Sequence, residues 1–493
     1  MIGDVTQELE RYGEYADRVA PTITFEEITD RRSRGVLTQV ESRQAIPNWA
    51  VAVAAGLATF ALVGGLVLLV SGTGADVVEQ PMVTSVPVPT TVTSVPVPTT
   101  VTSVPVPTTT APVGETDLRW VETMLSPSDA GAFDANWYGY DVAVDGDRIV
   151  ISEPIKYEGI EEAGAVYVYE PDGDSGWSET KLTASDGATG GGQFGMSVAV
   201  DGDIVVVGRP FELDPDGGPP PTTGTGLPTT GLQGAVHVFE SDGDGGWAET
   251  KLTASDAADQ DQFGSSVAVS GDRIVVGAGG DDERAGAVYV FERGGQDGWL
   301  ETKLTASDRA PFEYFGYWAS SSLGVPVAVE GDRIAVGSKS AVYLFEPDGN
   351  GGWAETRLAV TAYGVAIDGD RLVIGSESGV HVYERDATGE WAATDLDIPE
   401  RISSLDASDG RIAITVDPDA RSAGGPGIAY LVEKNDEGDW AKTVLKSPDT
   451  DPMDGGDWSY DNWAVAIDGD RVVVGAPYAF TTGVAYVYEW ISD

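Results

Sequence analysis

Three near-identical decapeptides decide the fold of this chain: WSETKLTASD at 177–186, WAETKLTASD at 247–256 and WLETKLTASD at 299–308. Weaker copies begin at Trp120, Trp353, Trp391 and Trp440. Seven tryptophans therefore mark seven units of roughly 38 to 70 residues, a period that is typical of repeat architectures.

Two further elements recur between the decapeptides. SVAVDGDIVVVG at 197–208 represents the first, in which Asp-Gly joins two β-branched runs. This pattern predicts a hairpin with a type I′ turn. GAVYVYE at 164–170 represents the second and leads through a Gly/Asp loop into the next tryptophan. Each unit is thus predicted to hold four antiparallel strands: A (SVAV), B (RIVVG), C (AVYVFE) and D (WxETKL).

The repeats predict an all-β, seven-bladed β-propeller of four-stranded antiparallel blades over residues 117–493. A single sheet of this kind buries both faces only by packing between copies of itself. The chain enters the repeats with a lone D strand at Trp120 and leaves after strands A, B and C at 463–490. We therefore expect the first strand to complete the last blade.

Three segments are predicted ahead of the propeller: a cytoplasmic segment at 1–47, a transmembrane signal-anchor helix at 48–72, and a Thr/Pro-rich extracellular stalk at 73–116. The uncharged run from Trp49 to Val70 is long enough, at roughly 33 Å as a helix, to span a bilayer. Arginines precede it, so the positive-inside rule places the N-terminus in the cytoplasm. The stalk repeats VTSVPVPTT from three positions, Val83, Val92 and Val101. The expected location is the cell membrane, single-pass, with the propeller outside.

Composition excludes several classes of function. The 493 residues include 29 Lys+Arg, 80 Asp+Glu, two histidines and no cysteine, giving a net charge of −51. Thiol chemistry, disulfides and thiolate metal sites are therefore excluded, and the charge opposes nucleic-acid binding. His237 and His381 both occupy a strand C position that holds tyrosine in the other repeats. We expect them to be packing residues, and we expect the same of the repeat tryptophans.

Phe-Gly pairs stand ahead of strand A at 194–195, 263–264 and 315–316, and Gly-Ala-Pro follows strand B at 475–477. These motifs resemble FG-GAP repeats, which are known from the ligand-binding head of integrin alpha subunits and from many bacterial surface proteins. The resemblance covers about residues 117–493 and implies a propeller of the integrin alpha type. It also implies calcium loops between strands A and B. Here that connection is only Asp-Gly-Asp, which is too short to surround calcium with six or seven oxygens.

Ligand binding is expected where the loops vary, on the side that carries the B–C and D–A connections. The aromatic residues outside the repeat pattern there are Trp137, Tyr138, Tyr314, Tyr317, Trp318, Trp458 and Tyr460. Of these, Tyr317, Trp318, Trp458 and Tyr460 are the predicted ligand-binding residues. The acidic loop at 449–457 comes closest to a calcium loop, although Met453 stands where an oxygen ligand is expected. Its candidate calcium ligands are Asp449, Asp451, Asp454 and Asp457, and a second candidate set is Asp256, Asp259 and Asp261.

The sequence therefore predicts a membrane-anchored cell-surface binding or adhesion module, and not an enzyme. Its expected partner is an extracellular protein or a glycan. Two alternatives stay open: an extracellular hydrolase or lyase that uses carboxylates, and a transmembrane sensor that signals through residues 1–47.

Overall fold

The computed structural model describes residues 102–104, 110–111, 114–115, 120–129, 137–154, 157–158, 161–162, 164–173, 176–186, 193–212, 232–294, 298–309, 327–376, 378–386, 391–398, 401–417, 428–435, 437–445, 464–477 and 483–490. The predicted segments 1–47 and 48–72, and most of the predicted stalk, lie outside these residues. Within them, no helix is both long enough and apolar enough to cross a membrane.

The described strands form seven antiparallel blades, and each runs A-B-C-D along the sheet, as the sequence predicts. Blade 1 comprises Val142–Asp145, Arg148–Glu153, Ala165–Pro171 and Trp177–Leu182. Blade 2 comprises Ser197–Asp201, Ile204–Arg209, Ala235–Ser241 and Trp247–Leu252. Blade 3 comprises Phe263–Ser270, Arg273–Ala278, Ala287–Arg293 and Trp299–Leu304. Blade 4 comprises Val327–Glu330, Arg333–Gly337, Val342–Pro347 and Trp353–Leu358.

The last three blades follow the same order. Blade 5 comprises Gly364–Asp368, Arg371–Ser376, Gly379–Arg385 and Trp391–Leu396. Blade 6 comprises Arg401–Ser408, Arg411–Asp417, Ile428–Lys434 and Trp440–Leu445. Blade 7 comprises Val465–Asp468, Arg471–Ala476, Val484–Trp490 and, as its D strand, Trp120–Leu125. Among the described residues, two B–C connections hold small extra elements: the hairpin Tyr157–Glu158 with Glu161–Glu162 in blade 1, and the helical turn Asp281–Arg284 in blade 3.

The predicted closure of the ring is confirmed. Trp120–Leu125 pairs antiparallel with Val484–Trp490, with Trp120 opposite Trp490 and Leu125 opposite Ala485. The N-terminal end of the repeat region thus supplies the outer strand of the last blade. A ring joined in this way has no open junction, and it needs no disulfide to stay closed.

The A–B turns differ from the prediction in six of the seven blades. In blade 1, Asp145 pairs with Arg148, so the two loop residues are Gly146 and Asp147. Only Gly146 has a positive φ, of 53°. This is the pattern of a type II′ turn, which takes glycine at its first central position. The predicted type I′ pattern occurs in blade 6, where Asp409 and Gly410 both have positive φ.

Three short strands precede the first D strand and add to outer blade edges. Thr102–Val104 pairs in parallel with the D strand of blade 4, Thr110–Ala111 with that of blade 5, and Gly114–Glu115 with that of blade 6. The chain therefore passes along the outer edges of three successive blades before it enters blade 7.

The core consists of seven apolar clusters, each shared by two neighbouring blades. At the junction of blades 2 and 3, for example, Phe263 packs edge-on against Tyr289 and Phe291. The Phe-Gly motif also brings backbones together, because a Cβ on Gly234 would lie 2.1 Å from the carbonyl oxygen of Phe263. Most of the hydrophobic stabilisation therefore lies between blades, so we expect the repeats to be stable only as a ring.

Candidate functional site

The A–B turns and C–D loops lie together on one side of the ring, which we call the turn face. Each A–B turn glycine there donates its N–H to the residue that ends strand A of the preceding blade. The bonds of 2.6–3.3 Å join Gly202 to Asp145, Gly271 to Asp201, Gly331 to Ser270, Gly369 to Glu330, Gly410 to Asp368, Gly469 to Ser408 and Gly146 to Asp468. The turn face is thus a closed circle of hydrogen bonds between blades.

Arginines at the start of strand B strengthen this circle. Arg148 donates to Glu170 of its own blade at 2.7 Å and to the Gly202 carbonyl of blade 2. Its guanidinium carbon lies 5.3 Å from the ring centre of Trp247, also in blade 2. The same partners recur around Arg273 and Arg471. The Asp-Gly-Asp-Arg turns therefore act between blades. The six repeat tryptophans whose side chains the structure describes all pack in clusters that two neighbouring blades share, as predicted.

The opposite side, which carries the B–C and D–A connections, is called the loop face. The repeated decapeptide forms contacts between blades here as well. Ser255, at the end of one copy, donates its hydroxyl to Glu301 of the next copy at 2.6 Å, and Lys303 contacts Asp256 at 2.7 Å. The Tyr289 hydroxyl also donates to Asp256, at 2.7 Å. In blades 1 to 4, the first half of the decapeptide thus binds the Ser-Asp end of the preceding copy.

His237 and His381 lie in strand C at the tyrosine position and are buried, as predicted. His237 belongs to the one group of potential metal ligands among the described residues, in which atoms of Asp186, Glu212 and His237 lie within 4.8 Å of one another. Lys251 contacts both carboxylates, and Arg209 donates to Asp186 at 2.9 Å. Because two side-chain cations already neutralise the two carboxylates, we assign no metal to this group.

The structure does not bring Asp256, Asp259 and Asp261 together as a set of metal ligands. Asp256 pairs with Lys303, and Asp259 accepts a hydrogen bond from the backbone N–H of Leu232 at 3.1 Å. Asp261 accepts one from its neighbour Ala258 at 2.6 Å, and burial raises its pKa to about 6. A carboxyl group that is readily protonated is a poor calcium ligand. Calcium binding by these three residues is therefore not supported.

The A strands of all seven blades line a central channel with a volume of about 270 Å³. Two carboxyl groups project from this lining. Asp141 accepts a hydrogen bond from the Val198 N–H at 2.8 Å, and Asp406 accepts one from the Ile467 N–H at 2.9 Å. Burial raises the pKa of Asp141 to about 7 and that of Asp406 to about 6. Both carboxyl groups are therefore protonated more readily than an exposed aspartate.

Sequence reasoning missed these two channel residues, although Asp406 carries a signal. It stands five residues before the first residue of strand B, where the other six blades all have alanine. An aspartate in place of a small apolar residue on the innermost strand indicates a role other than packing. Asp141 has a weaker signal, because its position also holds serine in blades 2 and 3.

The predicted ligand-binding residues Tyr317, Trp318, Trp458 and Tyr460 lie outside the described residues, as do the candidate calcium ligands Asp449, Asp451, Asp454 and Asp457. Two other aromatic residues from the same connections are described. Tyr138 is buried, with its hydroxyl 2.8 Å from that of Tyr169, and Trp137 stacks on Tyr140 at 5.6 Å. Tyr138 is therefore a packing residue rather than a ligand contact.

Comparison with known proteins finds a family that matches part of the repeat region. The family described as FG-GAP repeat matches residues 120–169, 177–220 and 247–291, which lie in blades 7, 1, 2 and 3. A crystal structure of Saccharomyces cerevisiae Sqt1 is similar over 73% of this chain and 98% of that chain, with a TM-score of 0.39 and 10% sequence identity. Among the curated proteins, no sequence matches this chain.

Proposed function

Because this chain is a seven-bladed propeller that carries FG-GAP repeats, we propose that it is an extracellular binding or adhesion module that recognises a protein or a glycan. Recognition takes place on the loop face. The observation that carries this proposal is the closed circle of bonds on the turn face. Backbone and side-chain groups that are committed to neighbouring blades offer little to a ligand, whereas unequal loops on a rigid ring are the usual place for recognition.

The second part of the proposal concerns anchoring. The uncharged run from Trp49 to Val70 holds the chain in the membrane, with residues 1–47 in the cytoplasm and the propeller outside. Protease added to intact cells tests this arrangement. It should remove the propeller and leave a small membrane-bound fragment, and complete protection of the propeller would contradict it.

The binding test uses the compact unit Ser85–Asp493, labelled with a fluorophore, on a glycan array and on immobilised extracellular matrix proteins. The measurements are made with calcium and with a chelator. We expect paired alanine substitutions of Tyr317 with Trp318, or of Trp458 with Tyr460, to abolish binding to any positive spot at an unchanged melting temperature. Calcium dependence would implicate the acidic loop at 449–457.

The matched controls are Asp203→Ala and Asp332→Ala on the turn face, where both side chains are exposed. They should leave the array signal unchanged. If the two turn-face variants lost binding and the aromatic variants kept it, the binding site would lie on the turn face. This result would overturn the proposal.

A further inference from the structure

The loop face of blade 5 brings together two serines, a histidine and an aspartate. Strand B ends at Ser376, a turn follows, and strand C starts at Gly379, which is paired with Ser376. In the next strand pair, His381 lies directly opposite Asp395. Antiparallel neighbours and residues two apart on a strand share a face of the sheet. The register therefore places Ser376, His381 and Asp395 on one face, beside the turn that carries Ser378.

The side chains form a continuous hydrogen-bonded chain. Nδ1 of His381 lies 2.5 Å from Oδ1 of Asp395. Nε2 of His381 lies 2.7 Å from the Ser376 hydroxyl oxygen and 3.0 Å from that of Ser378. Both nitrogens of the imidazole are thus engaged, one by a carboxylate and the other by hydroxyl groups.

The two hydroxyl groups differ in access and in their other bonds. Ser376 is 2% exposed, and its oxygen also lies within hydrogen-bonding distance of the Gly379 carbonyl and accepts the Ser378 N–H. Ser378 is exposed. With the Ser376 hydroxyl donated to the Gly379 carbonyl, Nε2 is left to accept the Ser378 hydroxyl. The accessible serine is then the one that can give its proton to the histidine.

Within the part of the chain that the structure describes, no other blade has this arrangement. The positions of Ser376, His381 and Asp395 hold Glu153, Tyr167 and Lys181 in blade 1, and Ala278, Tyr289 and Lys303 in blade 3. Blade 2 does have a histidine, His237, with Nδ1 2.6 Å from Glu249, but its Nε2 has no hydrogen-bond partner. Blade 4 has the same pair of serines at this turn, Ser338 and Ser340, but beside Tyr343, and Ser338 donates to the Ala341 carbonyl. The histidine and the serine pair each occur elsewhere on their own, and among the described residues only blade 5 combines them.

We propose that Ser378 is a nucleophile, activated by His381 as general base with Asp395 as the positioning residue, and that it reacts with esters and organophosphorus electrophiles. An exposed hydroxyl, a base within hydrogen-bonding distance and a carboxylate that orients the base are the three parts that nucleophilic serine chemistry needs. This activity is separate from ligand recognition by the large loops.

The proton and electron balance is simple. With an ester, the Ser378 oxygen forms a bond to the carbonyl carbon while its proton passes to Nε2 of His381. The ester C–O bond then breaks, and the leaving alcohol takes the proton from Nε2. Water hydrolyses the resulting acyl-serine by the same route in reverse. With a fluorophosphonate, an O–P bond forms, fluoride leaves, and the adduct remains on the serine.

The test treats the full purified chain with a biotin-tagged fluorophosphonate and locates the adduct by peptide mass spectrometry. We expect labelling on Ser378 in the native protein and its loss in Ser378→Ala. The double variant His381→Tyr/Asp395→Asn places at 381 the tyrosine of blades 1 and 3 and adds no unpaired charge at 395, so it should fold, and its labelling rate should fall by about 100-fold. His237→Tyr is the matched control in blade 2 and should label like the wild type.

Asp395→Asn separates positioning from structure. Loss of the carboxylate leaves Nδ1 of His381 without its charged partner, so the labelling rate should fall by about 10- to 100-fold while the melting temperature stays close to that of the wild type, and Asp395→Glu should recover part of the rate. Three results would overturn the proposal: native labelling no faster than that of the heat-unfolded chain, an adduct on Ser376 rather than Ser378, or full labelling in the double variant.

Discussion

The propeller joins its blades in two different ways on the loop face. From blade 7 round to blade 4, each junction has charged and hydroxyl partners, such as Lys303 with Asp256 and Ser307 with Glu355. We call these the charged junctions. Between blades 4 and 5, the corresponding stretch is apolar, and Val360 and Ala362 pack in a cluster with Tyr383. Between blades 5 and 6, Ile398 lies in a similar cluster. We call these two the apolar junctions.

The comparison shows that when one blade lacks the charged residues of a junction, the neighbouring blade lacks their partners as well. Where blade 4 has Thr361-Ala362 in place of Ser-Asp, blade 5 has Ala393 and Asp395 in place of Glu and Lys. A lysine or glutamate left without its partner at a half-buried junction would cost more than an apolar contact. Loss of the lysine also has a local consequence, because Asp395 faces His381 instead of a tyrosine.

The largest effect is expected at the closure of the ring, in blade 7. Deleting residues 120–125 removes the D strand of that blade and exposes the edge of Val484–Trp490. We expect the melting temperature to fall by more than about 10 °C, or cooperative unfolding to disappear, as measured by calorimetry. Deletion of one stalk repeat at 83–91 is the control. Equal melting temperatures for the two deletions would show that closure contributes nothing.

A buried charged junction should be costly to break. Glu355 is 2% exposed and accepts both the N–H and the hydroxyl of Ser307, at 3.0 and 2.6 Å. Glu355→Ala leaves these donors unpaired, so we expect a loss of about 2 to 3 kcal/mol in the free energy of unfolding by denaturant titration. Ser307→Ala and the double variant complete the cycle, with an expected coupling of about 1 kcal/mol. Additive single effects would contradict the pairing.

The two channel carboxyl groups allow a blade at a charged junction to be compared with a blade at an apolar junction. Asp141 lies in blade 1 and Asp406 in blade 6. Asp141 has a pKa of about 7 in the folded protein and an ordinary value of 3.8, so the folded state keeps a proton that the unfolded state loses. The contribution of Asp141 to stability should therefore fall as pH rises from about 4 to 7. Asp141→Asn removes this fall, and its stability relative to wild type should improve by roughly 1 to 2 kcal/mol between pH 5 and 8.

Asp406→Asn should behave in the same way with a midpoint nearer pH 6. The exposed turn residue Asp147, substituted by asparagine, is the control and should show no such slope. If the difference between Asp141→Asn and wild type were independent of pH, the carboxyl would already be ionised in the folded protein at pH 5.

The smallest effect is expected at the turn face between blades 2 and 3. Blade 2 has Ile204 where most blades begin strand B with arginine, and Arg293 of blade 3 reaches back to Glu240 and Asp272 instead. Ile204→Arg would add a second cation to carboxylates that already have one. We expect a gain below about 0.5 kcal/mol, which high salt would remove. A gain well above this would mean that Arg293 does not substitute for the missing arginine.

The sequence by itself determined the number of blades, the order of their strands and the closure by Trp120–Leu125. A periodic pattern repeated seven times leaves little freedom, since each copy can bury its faces only against the next. It also indicated that the repeat tryptophans and Asp-Gly-Asp turns are structural. It gave the wrong turn type in six blades, because the choice between types I′ and II′ depends on which two residues the strand register leaves in the loop.

Only the tertiary structure decided which groups meet across blades. The partner of Glu301 is Ser255, 46 residues earlier in the chain, and nothing in either decapeptide shows that the two ends bind each other. The channel carboxyls acquire their shifted pKa values from burial inside a ring that no single repeat contains. His381 fits the packing pattern by sequence, and only the register of three strands shows that Asp395 and Ser378 lie on its two nitrogens. The sequence specifies each repeat through its local periodic pattern, in which residues at the same position of different blades look alike. The chemistry of a site depends on the distances between particular side chains, and only the folded ring sets those distances.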